Sequence, residues 1–181
     1  MHKVIAFLLL SLTTSADSLA QRSLKRVPVT AMTVREADSA SRSDGRPLFV
    51  YLYLRSCPAC RSFESATLSD TSVRKMLAEG FHVALLDAGS RASVEWRGGR
   101  FGWNPESAMN DVVARLGKGG KAFPMTVIVS SDGILHQAIP GDIGRDEMLC
   151  LLSYVAESRW RSQSYDAFRS ARLKHLSRVR Q

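Results

Sequence analysis

The segment from residue 47 to 63, PLFVYLYLRSCPACRSF, constrains the fold most, because an apolar run stops at two cysteines and a helical pattern begins at once. Leu48 to Leu54 has the length and the aromatic and β-branched content of a buried strand, and Ser56 ends it. Pro58 suits the first turn of a helix, where its missing N–H would have had no partner and its fixed φ is already helical. Cys57 therefore stands just ahead of a helix N-terminus, where unpaired N–H groups and the macrodipole stabilise negative charge. A thiolate is such a charge.

The spacing of Cys57 and Cys60 alone admits three readings: a metal site, a structural cysteine pair or a redox dithiol. A structural zinc site needs four ligands, and the remaining candidates, Cys150, His2, His82, His136 and His175, are not closely paired. The expectation is therefore no metal. A thiol at a helix start beside Arg55 and Arg61 has a lowered pKa and raised reactivity, which favours the redox reading. Arg55 and Pro58 are the candidate pKa-tuning residues.

With this motif in place the chain resembles the thioredoxin superfamily, most closely the small exported thioredoxin-like proteins of the SoxW type from the bacterial periplasm. The resemblance runs from about Ala31 to Glu157. Its parts follow in order: the strand and CPAC, then LSDTSVRKML, FHVALLDA, AFPMTVIVSSDGILHQAIPG and a last helix from about Ile143. It implies an α/β thioredoxin-like fold, a central mixed sheet flanked by helices, with no cofactor. It also implies that Phe123 and Pro124, the latter a cis-proline facing the dithiol, hold a substrate chain in an extended pose. Two positions depart from the family. Tyr51 stands where thioredoxin has a buried Asp six residues before its first cysteine, so the carboxylate proposed to take the second thiol's proton is missing there. Met125 stands where Thr often follows the cis-proline.

The 181 residues fit one domain of ordinary size. Met1 to Ala20 has a basic start at Lys3, a nine-residue apolar run from Val4 to Leu12 and a small-residue end, predicting a signal peptide cleaved after Ala20. A run of nine residues is too short to span a bilayer, which takes about 20. Residues 21–30 read as a tether, 31–158 as the thioredoxin-like domain. The capping-box pair Thr33 and Glu36 predicts a helix to about Ser43, ended by Asp44-Gly45. Ser69-Asp70 caps a further helix, Phe81 to Leu86 is a second buried strand, and Ser107 to Leu116 has helical spacing. Met125 to Val129 and Ile134 to Ile139 form a hairpin around Ser131-Asp132-Gly133. Cys150 reads as a core thiol beside the apolar face of the last helix.

Two stretches lie outside this pattern. Residues 88–106 read as an exposed loop whose Trp96, Arg97, Arg100, Phe101 and Trp103 either grip a partner or fold onto one another. Residues 159–181 form a basic C-terminal extension with seven Arg or Lys and one acid, holding most of the chain's net charge of +8. Tyr165, Phe168, Leu173 and Leu176 give it an amphipathic helical pattern, suited either to an anionic membrane surface or envelope assembly, or to packing on the domain. Export makes nucleic acid an unexpected partner.

The function these features predict is a periplasmic thiol-disulfide oxidoreductase with Cys57 and Cys60 as its catalytic residues. A reductase of protein disulfides is preferred, fed by a membrane electron donor, because neither an isomerase-type dimerisation domain nor an oxidase-type helical insertion is visible. The alternative is a non-catalytic thioredoxin-fold subunit or adaptor of an envelope or secretion assembly.

Overall fold

The computed structural model describes residues 30–179. The expected signal peptide and nearly all of the expected tether lie outside the described residues, as do Arg180 and Gln181. The order begins with helix α1 (Val34–Asp44) and strand β1 (Leu48–Tyr53), followed by the short helix α2 (Pro58–Phe63), which continues into one π-helical turn, Glu64–Leu68. Helix α3 (Thr71–Gly80) and strand β2 (His82–Asp87) come next.

Local chemistry explains the first of these elements. Thr33 and Glu36 form the expected capping box, the Glu36 amide donating to Thr33 Oγ1 at 3.2 Å and the Thr33 amide to Glu36 Oε2 at 2.9 Å. Gly45, at φ 84°, closes the same helix by donating its N–H to the Ser41 carbonyl. In α3 the Asp70 carboxylate caps the amides of Ser72 and Val73.

The central sheet has the order β2-β1-β7-β8, where β7 is Met125–Val129 and β8 is Leu135–Pro140. β1 runs parallel to β2 and antiparallel to β7, and β7 and β8 form a hairpin. All six residues of β1 are buried, as a central strand covered on both faces requires. Phe49, Tyr51 and Tyr53 point into one core with Phe63, Leu77, Met148 and Leu151; Leu48, Val50 and Leu52 point into a second with Val34, Ala37, Val112 and Val127. Helix α5 (Gly144–Ala156) lies over the first core, against α3, while α1 and helix α4 (Asp111–Leu116) lie over the second. The mixed sheet between helices is the thioredoxin-like architecture that the resemblance implies.

Residues 88–106 are not an irregular exposed loop. They form the hairpin β3 (Val94–Trp96) and β4 (Gly99–Phe101), and then β5 (Trp103–Asn104), which pairs with β6 (Met109–Asn110). The turn of the first hairpin is Arg97-Gly98, both at positive φ (49° and 76°), the backbone a two-residue hairpin needs. Trp96 and Phe101 pack on the second core, so the aromatics fold inward. The helix expected from Ser107 starts later, at Asp111, because Met109 and Asn110 are taken up by β6 and Asn110 caps the helix through the Val112 amide.

Packing continues beyond Ser158. Trp160, Tyr165 and Phe168 join the first core, and Tyr154 of α5 meets the rings of Tyr165 and Phe168 at 5.2 and 5.4 Å. Helix α6 (Tyr165–Val179) is further tied to α5 by Tyr165 Oη and Arg169 Nε, each donating to the Glu147 carboxylate at 2.7 Å. The aromatic part of the extension is thus spent on packing. Cys150, a free thiol, is buried in the same region; burial raises its pKa, opposed by a hydrogen bond with Tyr165.

Candidate active site

β1 ends at Tyr53, and Leu54, Arg55 and Ser56 turn the chain so that the Cys57 amide donates back to the Leu54 carbonyl at 3.1 Å. Cys57 then has extended backbone angles (φ −83°, ψ 110°) and occupies the N-cap of α2, with Pro58 in the first turn. The sulfur takes the place of a capping oxygen: the Cys60 amide donates to Cys57 Sγ at 3.0 Å. In this structure Cys57 and Cys60 are joined in a disulfide, with Cα atoms 5.2 Å apart. Cys57 is half-buried and Cys60 is 1% exposed. Only the first sulfur is open to an incoming partner.

The loop before β7 faces this pair. The Phe123–Pro124 peptide bond is cis, and the Phe123 carbonyl oxygen lies 3.8 Å from Cys57 Sγ. The Pro124 carbonyl accepts from the Gly141 amide at 2.7 Å, which fixes the loop against the end of β8. A backbone carbonyl beside the exposed sulfur is a fixed acceptor for the thiol form, and the neighbouring main chain offers an edge for an extended peptide.

Arg55, read from the sequence as a cation acting on Cys57, is engaged elsewhere. Its Nε donates to Asp87 Oδ2 at 2.7 Å, at the end of β2, so its charge is offset by an adjacent carboxylate. Pro58 is exposed and sits where a helix start accepts it. The donor that directly meets the Cys57 sulfur is therefore the Cys60 amide. Arg61 donates to the Arg55 carbonyl at 3.5 Å.

The structure also gathers residues that sequence reasoning did not place at the site. Tyr51 is fully buried, and its hydroxyl lies 3.2 Å from the Cys60 carbonyl and 3.1 Å from Glu64 Oε1. Glu64 is itself 7% exposed. Burial, followed by the nearby Glu64 charge, pushes the Tyr51 phenol far above its ordinary pKa, so it remains protonated and a donor. Beyond Glu64, Thr67 Oγ1 lies 3.4 Å from Asp142 Oδ1. At the position of that departure, Tyr51 thus joins the Cys60 carbonyl to a carboxylate supplied from the helix.

Sequence carries a signal for this. Glu64 lies four residues after Cys60, the spacing that puts two side chains on one helical face. The π-helical turn begins at Glu64, with the Ser69 amide bonding the Glu64 carbonyl five residues back at 3.0 Å, and such turns recur at functional sites.

The Thioredoxin-like domain family matches residues 34–156, which contain the dithiol, Phe123, Pro124, Tyr51 and Glu64. No curated protein sequence matches the chain. Among solved structures, a thioredoxin-fold protein from Helicobacter pylori is similar over 88% of this chain and 94% of its own, at 12% identity and a TM-score of 0.60. A thioredoxin from Thermus thermophilus is similar over 70% of this chain and 86% of its own, at 23% identity and a TM-score of 0.53. A DsbH oxidoreductase covers 71% of this chain and 85% of its own, at 12% identity and a TM-score of 0.54. At these identities the structural likeness establishes the fold.

Proposed function

The chain belongs to the thioredoxin-like domain family, and from that premise we propose that it is a thiol-disulfide oxidoreductase that reduces protein disulfides in the periplasm. The observation that carries this reading is the Cys57–Cys60 disulfide at a helix start, with the Cys60 amide on Cys57 Sγ and the cis Phe123–Pro124 loop facing it.

Each step follows from the placement of the two sulfurs. In the reduced protein Cys57 is the nucleophile, because it is the less buried sulfur and its thiolate receives a backbone N–H. It attacks one sulfur of a substrate disulfide; that S–S bond breaks, the other substrate sulfur leaves as a thiolate and takes up a proton, and a mixed disulfide remains. Cys60, deprotonated, then attacks Cys57 Sγ. The mixed disulfide breaks, the second substrate thiolate leaves, and the protein holds the disulfide seen here. Two electrons have moved to the substrate, and a membrane electron donor restores the dithiol. Phe123 and Pro124 would align the substrate strand.

Export rests on the N-terminal pattern of a basic start, apolar run and small residues at Ala20, and on the likeness to the exported SoxW type. The competing reading, a non-catalytic subunit, would use the fold without turnover. Insulin reduction with dithiothreitol separates the two: the proposed enzyme accelerates it and Cys57→Ser abolishes the acceleration, whereas a rate equal to that of dithiothreitol alone would overturn the reading. The Cys57–Cys60 reduction potential then fixes the direction, since thioredoxin lies at about −270 mV and a strong disulfide oxidant at about −120 mV. A value near the second would reverse the proposed direction.

A further inference from the structure

We propose that the cavity between the β3–β4 hairpin and the end of α4 is a binding site for a small carboxylate that carries an apolar or aromatic body. The cavity holds about 650 Å³, within the range of about 300–1,000 Å³ that small-molecule sites occupy. Trp96 and Phe101 of the hairpin, Leu116 of α4 and Val129 of β7 form its apolar walls. Arg97, Arg115 and Lys118 supply its charge, and no carboxylate among the described residues lines it. The site does not depend on the exchange reading above. Val129 pairs with Leu48 at the start of β1, about 17 Å of strand, at about 3.3 Å per residue, from the end that leads to Cys57.

The three cations differ in what they still offer. Arg97 is committed: its Nε donates to Asp38 Oδ1 at 3.1 Å, its Nη2 to the Ser130 carbonyl at 3.4 Å, and a Cβ on Gly133 would collide with its guanidinium. Arg115 and Lys118 are exposed and have no ionic partner among the described residues. The nearby acids are engaged elsewhere, Asp111 accepting from Asn104 Nδ2 at 2.9 Å and Asp132, beside Gly133, pairing with Arg161 at 2.9 Å. Two cations that border an apolar cavity thus lack a counter-charge, and a carboxylate accepts charge-assisted hydrogen bonds from guanidinium and ammonium alike. Two cationic donors suit its two oxygens, whereas a phosphate would leave a further oxygen facing apolar walls.

Two further observations point to an acceptor. The Trp96 indole N–H is buried with no hydrogen-bond partner among the described residues, and folded proteins rarely leave such a donor unpaired. Lys118 has φ 52°, a left-handed backbone that glycine adopts freely and lysine does not, although glycine stands on both sides of it. Arg97 shares this conformation at φ 49°. Strain of this kind clusters at ligand clamps, where the side chain itself is needed. In the proposed complex Arg115 and Lys118 hold the carboxylate, its body lies against Phe101, Leu116 and Val129, and an acceptor entering the cavity satisfies the Trp96 N–H.

The test titrates the whole chain, with its dithiol oxidised, by calorimetry with phenylpropionate, its uncharged amide and inorganic phosphate. Phenylpropionate should bind saturably at one site, with the amide and phosphate each about tenfold weaker or worse. Arg115→Gln and Lys118→Gly should each weaken phenylpropionate about tenfold, the loss of one hydrogen bond to a charged group, while insulin reduction stays unchanged. Lys118→Gly should not lower the urea midpoint, since glycine takes the left-handed backbone without strain. Acetyl-glycyl-phenylalanine with a free terminus separates the two sources of such a carboxylate: tighter binding than phenylpropionate assigns the site to a chain terminus, weaker binding to a free acid. No saturable binding, equal binding of the amide or of phosphate, or full affinity in folded Arg115→Gln and Lys118→Gly proteins would overturn the proposal.

Discussion

On each side of the central sheet a carboxylate is buried, and the two are held differently. Asp38 in α1, 2% exposed, meets Arg97 Nε at 3.1 Å and Arg42 Nε at 3.4 Å. Glu64, 7% exposed, accepts from the neutral phenol of Tyr51. A carboxylate closed between two guanidiniums spends its charge on joining segments, here α1 to the β3–β4 hairpin and, through Arg97 and the Ser130 carbonyl, to the end of β7. The Glu64 carboxylate accepts from a neutral donor on β1 and lies where the dithiol's own helix continues. The difference separates an acid that joins distant segments from one that lies beside the site.

The largest effect should come from breaking the architectural side. Arg97→Ala leaves Asp38 buried with half of its counter-charge. Removing one partner of a buried pair costs about 3–5 kcal/mol; because Arg42 remains, about 3 kcal/mol is expected, read as a lowered urea midpoint. Adding Asp38→Asn should recover part of the loss, since the stranded charge is then gone. Insulin reduction should be unchanged. If it falls in folded Arg97→Ala protein, the two sides of the sheet are coupled.

A smaller effect is expected from Tyr51→Phe. The ring and its stacking stay, and what is lost is a hydroxyl between the Cys60 carbonyl and a buried carboxylate. One such hydrogen bond contributes about 1 kcal/mol, with more lost if the acceptor stays buried and unanswered. Stability should therefore fall by about 1–2 kcal/mol. Insulin reduction should also fall, by less than in Cys57→Ser, because both sulfurs remain and only the contact with the Cys60 carbonyl is lost. A stability loss with the insulin rate unmoved would make Tyr51 architectural too.

The contrast also marks what the sequence could show. Strand β1, the dithiol, the capping box at Thr33 and the β7–β8 hairpin were legible because each is a short-range pattern with its own backbone signature. The hairpin at Val94–Phe101 was not, since its turn is Arg97-Gly98 instead of the Asn-Gly or Asp-Gly that usually announces one. Arg97 could not be recognised as an anchor, because Asp38 lies 59 residues away. Tyr51 showed only as a missing Asp. Its partner sits 13 residues on, across a strand-to-helix turn, and alternation in β1 tells which face Tyr51 takes but not which acid meets it there. Tyr165 and Phe168 read as part of an amphipathic face suited either to a membrane or partner or to the domain, because the surface they cover belongs to α5.

The smallest effect concerns a third carboxylate, and it tests whether a surface acid follows the architectural pattern. Asp44 is the last residue of α1, where the negative end of the helix dipole disfavours an anion. It is retained by the buried His82, whose Nε2 lies 2.9 Å from Oδ1, and by Arg46 Nε at 2.8 Å. These contacts, the His82 hydrogen bond first, hold its pKa well below the ordinary value, which is about 3.9 in an unfolded chain. A carboxyl whose folded pKa is depressed contributes stability that is fully present above the unfolded value and is lost as pH falls through the folded one. Stability should therefore decline below about pH 4 with an Asp44 contribution, and Asp44→Asn should lower stability at neutral pH by that contribution and make the decline shallower, so that the two proteins converge in acid. Asp70 and Asp132, also held low, keep part of the slope in the variant. Urea midpoints from pH 7 downward measure this; parallel curves for the two proteins would show that Asp44 gains nothing from folding.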